Sequence, residues 1–129
     1  MTEKFKLACI EYEAARLEIK RLSDAIGEAL ADCHIAQQAA YLRENPEKSL
    51  HDAIDAAKVN HLEAAYALKP AEDCLYSDRL VHANGAPEEY LSEICPHCLS
   101  AHKLIQDRKD ARKRFGIAKR RISALGRAA

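Results

Sequence analysis

A row of small and apolar side chains continues without a break through the first third of the chain. Its members follow one another at alternating steps of three and four residues, and they are Phe5, Ala8, Tyr12, Ala15, Ile19, Leu22, Ile26, Ala29, Cys33, Ala36 and Ala40. This spacing puts every member on one face of a helix and is typical of a coiled-coil seam. The lone Gly27 costs about 1 kcal/mol relative to alanine, which does not stop such a helix. The spacing therefore predicts helix 1 over 1–44, ending before Asn45 and Pro46.

A second helix is predicted over 48–83. Ser49 suits its N-cap, and apolar residues again recur at steps of three and four. Pro70 is expected to kink or restart this helix, and Gly85 suits a left-handed cap just beyond its end. Because only a short turn separates the two predicted helices, we expect them to fold antiparallel onto each other.

Two prolines mark the starts of two further helices, over 87–94 and 96–126, with Cys95 as the cap of the second. Arg108 interrupts the apolar row of the last helix, which comprises Ala101, Leu104, Ala111, Phe115, Ala118, Ile122 and Leu125. No stretch shows the alternation of a strand. We expect a single all-α domain over 1–129, an elongated, coiled-coil-like antiparallel helical hairpin with the long C-terminal helix packed on it as a bundle.

The zero net charge hides a strong asymmetry along the chain. Residues 1–100 carry 10 Lys/Arg against 18 Asp/Glu, whereas residues 101–129 carry 10 Lys/Arg against two Asp. Such a basic helix can neutralise phosphates of a nucleic acid. It can equally lie against the acidic hairpin, an interpretation that the balance of the two halves slightly favours. The residues expected to contact nucleic acid are Lys113, Arg114, Lys119, Arg120 and Arg121.

The stretch CPHCLSAH, residues 95–102, holds three soft metal ligands in eight residues. Cys95 and Cys98 can grip one ion across a helical turn, and His102 follows Cys98 by four positions on the same helical face. The spacing predicts a zinc site, with Cys74 or His82 as the fourth ligand nearest in sequence. Three residues in the predicted hairpin that the last helix can also meet are Cys33, His34 and His61. Cys33 and His61 are nonetheless expected to be seam and core residues of the hairpin.

The same residues are compatible with thiol redox chemistry. The tetrapeptide CPHC resembles the active-site sequence of bacterial disulfide oxidoreductases of the thioredoxin fold, and CxxCxxxH in a helical setting resembles the alkylhydroperoxidase and carboxymuconolactone-decarboxylase family. The second resemblance implies that Cys98 attacks peroxide, Cys95 resolves the resulting disulfide and His102 assists proton transfer. A third interpretation makes both cysteines small hydrophobic residues at a helix junction.

The preferred function is non-enzymatic: a helical interaction or adaptor protein with a zinc site and a basic helix that contacts nucleic acid. It is expected to bind a protein partner or a second copy of itself through its helical faces. The alanine-rich hairpin followed by CPHC and an Arg/Lys-rich end is similar to small phage and prophage accessory proteins, which implies binding and inhibition of a host protein. No stretch reaches the roughly 20 apolar residues of a membrane span, so we expect a cytoplasmic protein.

Overall fold

The computed structural model describes residues 2–71 and 79–128, and most of them are helical. The elements in chain order are α1 (Glu3–Glu44), α2 (Leu50–Ala56), α3 (Leu62–Tyr66), β1 (Leu68–Pro70), β2 (Leu80–His82), α4 (Pro87–Ile94) and α5 (Pro96–Ala128). The prediction of an all-α fold built on long helices is confirmed. No helix in this described part is both long and apolar enough to cross a membrane.

The chain divides into two compact units. Met1–Ile26 and Lys103–Ala129 form the terminal unit, and Gly27–His102 form the central unit. The first 26 residues and the last 27 thus pack with each other, although they lie at opposite ends of the sequence. A single domain over the whole chain stays a prediction.

The terminal unit is an antiparallel pair of helical segments from α1 and α5. Near the start of α1, Glu11 contacts Arg121, and the Tyr12 ring lies 4.7 Å from that of Phe115. Further along α1, Ser23 contacts Arg108, so the two segments run in opposite directions. The predicted row on α1 faces this partner, because its members in this unit are buried or half-buried. The antiparallel partner in this unit is therefore α5, and the expectation that helix 2 fills this role is wrong here.

The predicted apolar row of α5 is also confirmed. Ala101, Ala111 and Ala118 are buried, and the larger members of the row are half-buried. Arg108 occupies the gap in this row, where its Nη1 atom donates to Ser23 Oγ at 3.3 Å. Alanines at the buried positions allow the two backbones to approach closely. Contacts between the backbones then take the place of contacts between larger side chains.

The central unit contains a correction to the predicted helix over 48–83. Its start is right, since Ser49 and Asp52 form a capping box at the N-terminus of α2. However, α2 ends at Ala56, the short α3 follows, and Pro70 lies in strand β1. Asn60 explains part of the break, because its side-chain oxygen accepts the backbone N–H of Leu62 at 2.9 Å and starts α3 anew.

Two three-residue strands stand where no strand is expected from the sequence. They pair antiparallel in the register Leu68↔His82, Lys69↔Val81 and Pro70↔Leu80. Proline lacks the N–H that a helix interior needs and is tolerated on a sheet edge, which favours the strand over a kinked helix. The strands are too short to show the alternating pattern by which a strand is recognised in a sequence.

The remaining boundaries follow the sequence closely. Helix α4 spans the predicted 87–94, and α5 starts at Pro96 as expected, ending two residues beyond the predicted 126. The carbonyl of Cys95 accepts the N–H of Leu99 at 3.0 Å, so Cys95 caps α5 as predicted. Gly85 adopts the left-handed conformation, with φ of 83°, in the turn after β2 and not at a helix end.

Substituting Leu22 tests the buried row of α1. The side chain is 1% exposed, so Leu22→Asp removes a buried leucine and places an unpaired carboxylate against α5. We expect the free energy of unfolding to fall by more than about 3 kcal/mol. The matched control is Ile35→Asp, on the same helix but 61% exposed, which should change stability by about 0.5 kcal/mol or less. Thermal unfolding followed by circular dichroism measures both, and equal loss in the two variants would contradict the assignment of the row.

Candidate metal centre

Three cysteines and one histidine meet at one point in the central unit. They are Cys33, His61, Cys95 and Cys98, and their ligand atoms all lie within 4.8 Å of one another. The cysteines are 0%, 5% and 0% exposed, and His61 is half-buried. A set of Cys3His ligands gathered at one buried point is suited to holding a metal ion.

The four ligands come from three parts of the unit. Cys33 lies on α1, His61 immediately precedes α3, and Cys95 and Cys98 lie at the start of α5. Pro96 begins α5 directly after Cys95, so the first helical turn brings the two sulfurs of the CxxC stretch to the same side. The backbone N–H of Cys98 lies 3.4 Å from Cys95 Sγ and donates to it, which closes this turn.

Segments from elsewhere in the unit are held against α1 near Cys33. His34 Nδ1 lies 2.6 Å from the carbonyl oxygen of Ala57, and because that oxygen can only accept, Nδ1 must carry the proton. Gln37 Nε2 donates to the carbonyl of Val59 at 3.1 Å. These two hydrogen bonds fix the segment after α2 on α1, and His61 follows a few residues later.

The distances between ligand atoms agree with the edges of a tetrahedral metal site. Cys33 Sγ lies 3.7 Å from Cys95 Sγ, and His61 Nδ1 lies 3.3 Å from Cys33 Sγ and 3.7 Å from Cys98 Sγ. A tetrahedral zinc ion with the usual bond lengths separates two sulfurs by about 3.8 Å and a sulfur from a nitrogen by about 3.6 Å. These three distances are close to those values, and all four ligand atoms lie within 4.8 Å of one another.

Two of the sulfurs accept hydrogen bonds from groups next to the cluster. Besides the Cys98 N–H on Cys95, Gln37 Nε2 donates to Cys33 Sγ at 3.2 Å. The orientation of the Gln37 amide is determined by its second contact, because the carbonyl of Val59 requires a donor. Donors of this kind orient metal-bound thiolates and delocalise their charge.

Burial in the cluster favours the neutral form of the Cys98 thiol. Its pKa is raised to about 12, chiefly by burial, while His61 contributes in the lowering direction and the adjacent Cys33 and Cys95 sulfurs in the raising direction. A divalent cation reverses this preference, since a coordinating thiol loses its proton. The positive end of α5 also favours negative charge on the two sulfurs at its start.

The structure assembles only part of the ligand set expected from the sequence. Cys95 and Cys98 lie in the cluster, but His102 does not, because its Nδ1 atom lies 2.7 Å from the Tyr66 hydroxyl on α3. His102 lies one helical turn beyond Cys98 on α5. His82 is exposed on β2 and also lies outside the cluster, and Cys74 lies outside the described residues.

The prediction of Cys33 and His61 as seam and core residues of a hairpin misses their place in the cluster. Cys33 is indeed a buried member of the heptad row, so burial and ligation coincide at this position. The available signal is chemical: Cys33 and His61 occur in rows whose other members are small, aliphatic or aromatic side chains, and His34 neighbours Cys33. Which of them meets the CxxC stretch depends on contacts between distant segments.

The residues expected to contact nucleic acid are all exposed on α5. Within the part of the chain that the structure describes, Arg121 forms the one ion pair of this segment with α1, to Glu11 at 2.9 Å. Arg114 lies near enough to Glu18 to help lower the pKa of that carboxyl, after the larger effect of the Arg21 hydrogen bond. The predicted pairing of the basic helix with acidic residues is thus limited in the terminal unit.

Cobalt(II) binding tests which residues form the centre. We expect Cys33→Ser to abolish the absorption bands of tetrahedral thiolate-bound cobalt, because it removes one of three sulfurs. His102→Gln should retain both the bands and the affinity, since His102 contacts Tyr66 and lies outside the cluster. The opposite pattern, loss of the bands in His102→Gln and retention in Cys33→Ser, would contradict this ligand set.

Comparison with known proteins does not assign this centre to any characterised site. No family model matches the chain, and neither the characterised proteins nor the solved structures include a match. The chemistry of the cluster and the surfaces of the two units therefore carry the functional argument.

Proposed function

We propose that this protein is a non-enzymatic helical interaction protein whose central unit is held together by a structural zinc ion. The observation that carries the proposal is the closed set of four ligand atoms within 4.8 Å, contributed by Cys33, His61, Cys95 and Cys98. Sulfur and imidazole ligands in tetrahedral arrangement suit zinc better than magnesium or calcium, which prefer oxygen.

The ligand set supports a structural role for the ion. Four protein ligands complete a tetrahedral shell, whereas a catalytic zinc usually keeps one position for water or substrate. The three sulfurs are buried, so substrate access to the ion is restricted. Besides the ligands and the two leucines Leu62 and Leu91, the buried apolar residues described in this unit are alanines, namely Ala29, Ala53, Ala57, Ala65, Ala71 and Ala101.

The thiol peroxidase alternative fits the site less well. A peroxidatic cysteine must be a thiolate and must be reached by peroxide, whereas the Cys98 side chain is fully buried and its pKa is raised to about 12. The histidine that would assist proton transfer, His102, lies instead against Tyr66. These properties favour a metal ligand over a nucleophile.

The surface of the central unit supports an interaction role. Several large apolar side chains of this unit are exposed, including Ile35, Leu50, Ile54, Val59 and Ile94. A stable arrangement of short helices that displays apolar side chains is suited to contacts with another protein. The zinc ion would act indirectly, by keeping those short helices in place.

Metal analysis and chelation test the zinc proposal. Protein purified without added metal should contain about one zinc per chain, and a strong chelator should lower the melting temperature by more than about 10 °C, because structural zinc contributes several kcal/mol to folding. Cys98→Ser should have the same effect. The matched control is Cys9→Ser, a half-buried free cysteine of the terminal unit, which should keep zinc and stability.

The redox alternative predicts a different set of results. It requires a metal-free protein with a Cys95–Cys98 disulfide and turnover of peroxide with a thiol reductant. Those results together would overturn the zinc proposal.

Nucleic-acid binding is a second candidate function, favoured by a specific feature of α5. Lys113, Lys119 and Arg120 are exposed, and no ion pair of theirs is found within residues 2–71 and 79–128. Positive charges that are not neutralised within the protein remain available to phosphates. Contacts of this kind bind the backbone of the nucleic acid and do not by themselves select a sequence.

Binding to a DNA or RNA duplex at several salt concentrations tests this candidate. Affinity should fall about tenfold or more between 50 and 200 mM salt if a few phosphates are contacted. Replacing Lys113, Lys119 and Arg120 together by glutamine should abolish binding at low salt without changing the melting temperature.

The control for this test removes the same charge from the other helix. Lys6, Arg16 and Lys20 are exposed on α1, and their replacement by glutamine should leave binding nearly unchanged. No binding by the wild type at 50 mM salt would contradict the candidate function, and equal losses in both triple variants would indicate a nonspecific effect of net charge.

A further inference from the structure

A second apolar row lies on α1, on a different face from the row that packs against α5. It consists of Leu7, Ile10, Ala14 and Leu17, again at steps of three and four residues. All four are exposed, and the three large ones are 55%, 64% and 51% exposed. An isolated exposed leucine needs no explanation, but a continuous row on one helix is typical of a surface that another element covers.

Two members of this row, Leu7 and Ala14, also line an open groove between α1 and α5. Ile117, 43% exposed, lies with Ala14 and Ala15 in a groove of about 560 Å³ between the two helical segments. A neighbouring groove of about 420 Å³ continues past Leu7 and Ala124. The terminal unit thus presents one open apolar groove along its length.

In the larger part of the groove, the charged residues are acidic on α1 and basic on α5, and Lys4 of α1 lines the smaller part. Glu11 and Glu18 line the larger part from α1, and Arg114 and Arg121 line it from α5. The helices are antiparallel, so Glu11 lies opposite Arg121 at 2.9 Å. Glu18, which also pairs with Arg21 of the same helix at 2.6 Å, then lies at a similar level to Arg114 further along the pair.

We propose that a second copy of this chain covers the groove and that the two terminal units form an antiparallel four-helix bundle. The charges select its symmetry. A two-fold axis parallel to the helices places α1 of one copy over α5 of the other, so that Glu18 of each copy meets Arg114 of its partner. A two-fold axis across the helices would place acidic against acidic and basic against basic edges, which is unfavourable.

A second copy suits this groove better than an unrelated helix, because the surface is complementary to itself under that rotation. An interface built on a two-fold axis uses each contact twice. Among the described residues, the terminal unit consists of this one pair of helical segments, whereas helical bundles bury their apolar faces against further helices. The inference concerns the terminal unit alone and does not depend on the metal centre.

Sedimentation of the full-length chain across the micromolar range tests the proposal. The wild type should be a dimer, and Ile117→Glu should be a monomer with an unchanged melting temperature at low concentration. The matched control is Ile35→Glu, an exposed isoleucine outside the terminal unit, which should remain a dimer. A wild type that stays monomeric throughout, with the face left for another protein, would overturn the proposal.

A mixing experiment tests the symmetry. Glu18→Arg and Arg114→Glu should each be monomeric, because each places two like-charged pairs in the interface. Mixed in equal amounts, they should form a heterodimer, since one contact then joins the introduced arginine to the introduced glutamate and the other joins the native Arg114 to the native Glu18. Repulsion within each chain is the same before and after mixing, so it cannot produce this gain. Failure of the mixture to associate, with a dimeric wild type, would exclude the proposed axis.

Discussion

Three sulfurs and one imidazole nitrogen meet at one point of the central unit, where three segments of the chain come together. The helices α2, α3 and α4 of this unit have seven, five and eight residues, lengths at which a helix in water is marginal without outside support. Much of its buried core is alanine, which contributes little apolar area. A metal ion bound by residues of α1, of the segment before α3 and of the start of α5 would join these pieces directly, so the same atoms serve ligation and packing.

The long helices were predictable because their signals are local and repeated. The row from Phe5 onward and the prolines at 87 and 96 act within a few residues of their effect, and they predicted α1, α4 and α5 closely. The region 48–83 failed for the opposite reason. Its helical periodicity is real but short, and it competes with the side chain of Asn60 and with Pro70, whose preference for an edge strand is satisfied only once β2 lies beside it.

The ligands of the candidate metal centre were likewise predictable only in part. The two sulfurs of the CxxC stretch are neighbours through one helical turn, so their sequence alone indicates a shared ligand position. Cys33 and His61 join them only because His34 and Gln37 hold the chain after α2 against α1, contacts that no local pattern encodes. His102 has the spacing from Cys98 expected of a ligand, yet its Nδ1 atom lies within hydrogen-bond distance of the hydroxyl of Tyr66 on α3. Spacing along a helix shows which side chains share a face, and the neighbouring elements decide what that face meets.

The charges show most clearly that equal numbers of acidic and basic residues do not predict which residues pair. The acidic first part and the basic last part cancel in number, a balance that favours pairing between them. In the described part of α1, however, carboxylates pair with basic residues three or four positions away, as in Glu13–Arg16 and Glu18–Arg21. Such pairs form within one helix and need no alignment of a second one. Carboxylates of α1 are thus paired within their own helix. Among the described residues, Glu11–Arg121 is the ion pair found between α1 and α5. Within the described residues, the basic side chains of α5 therefore have few acidic partners.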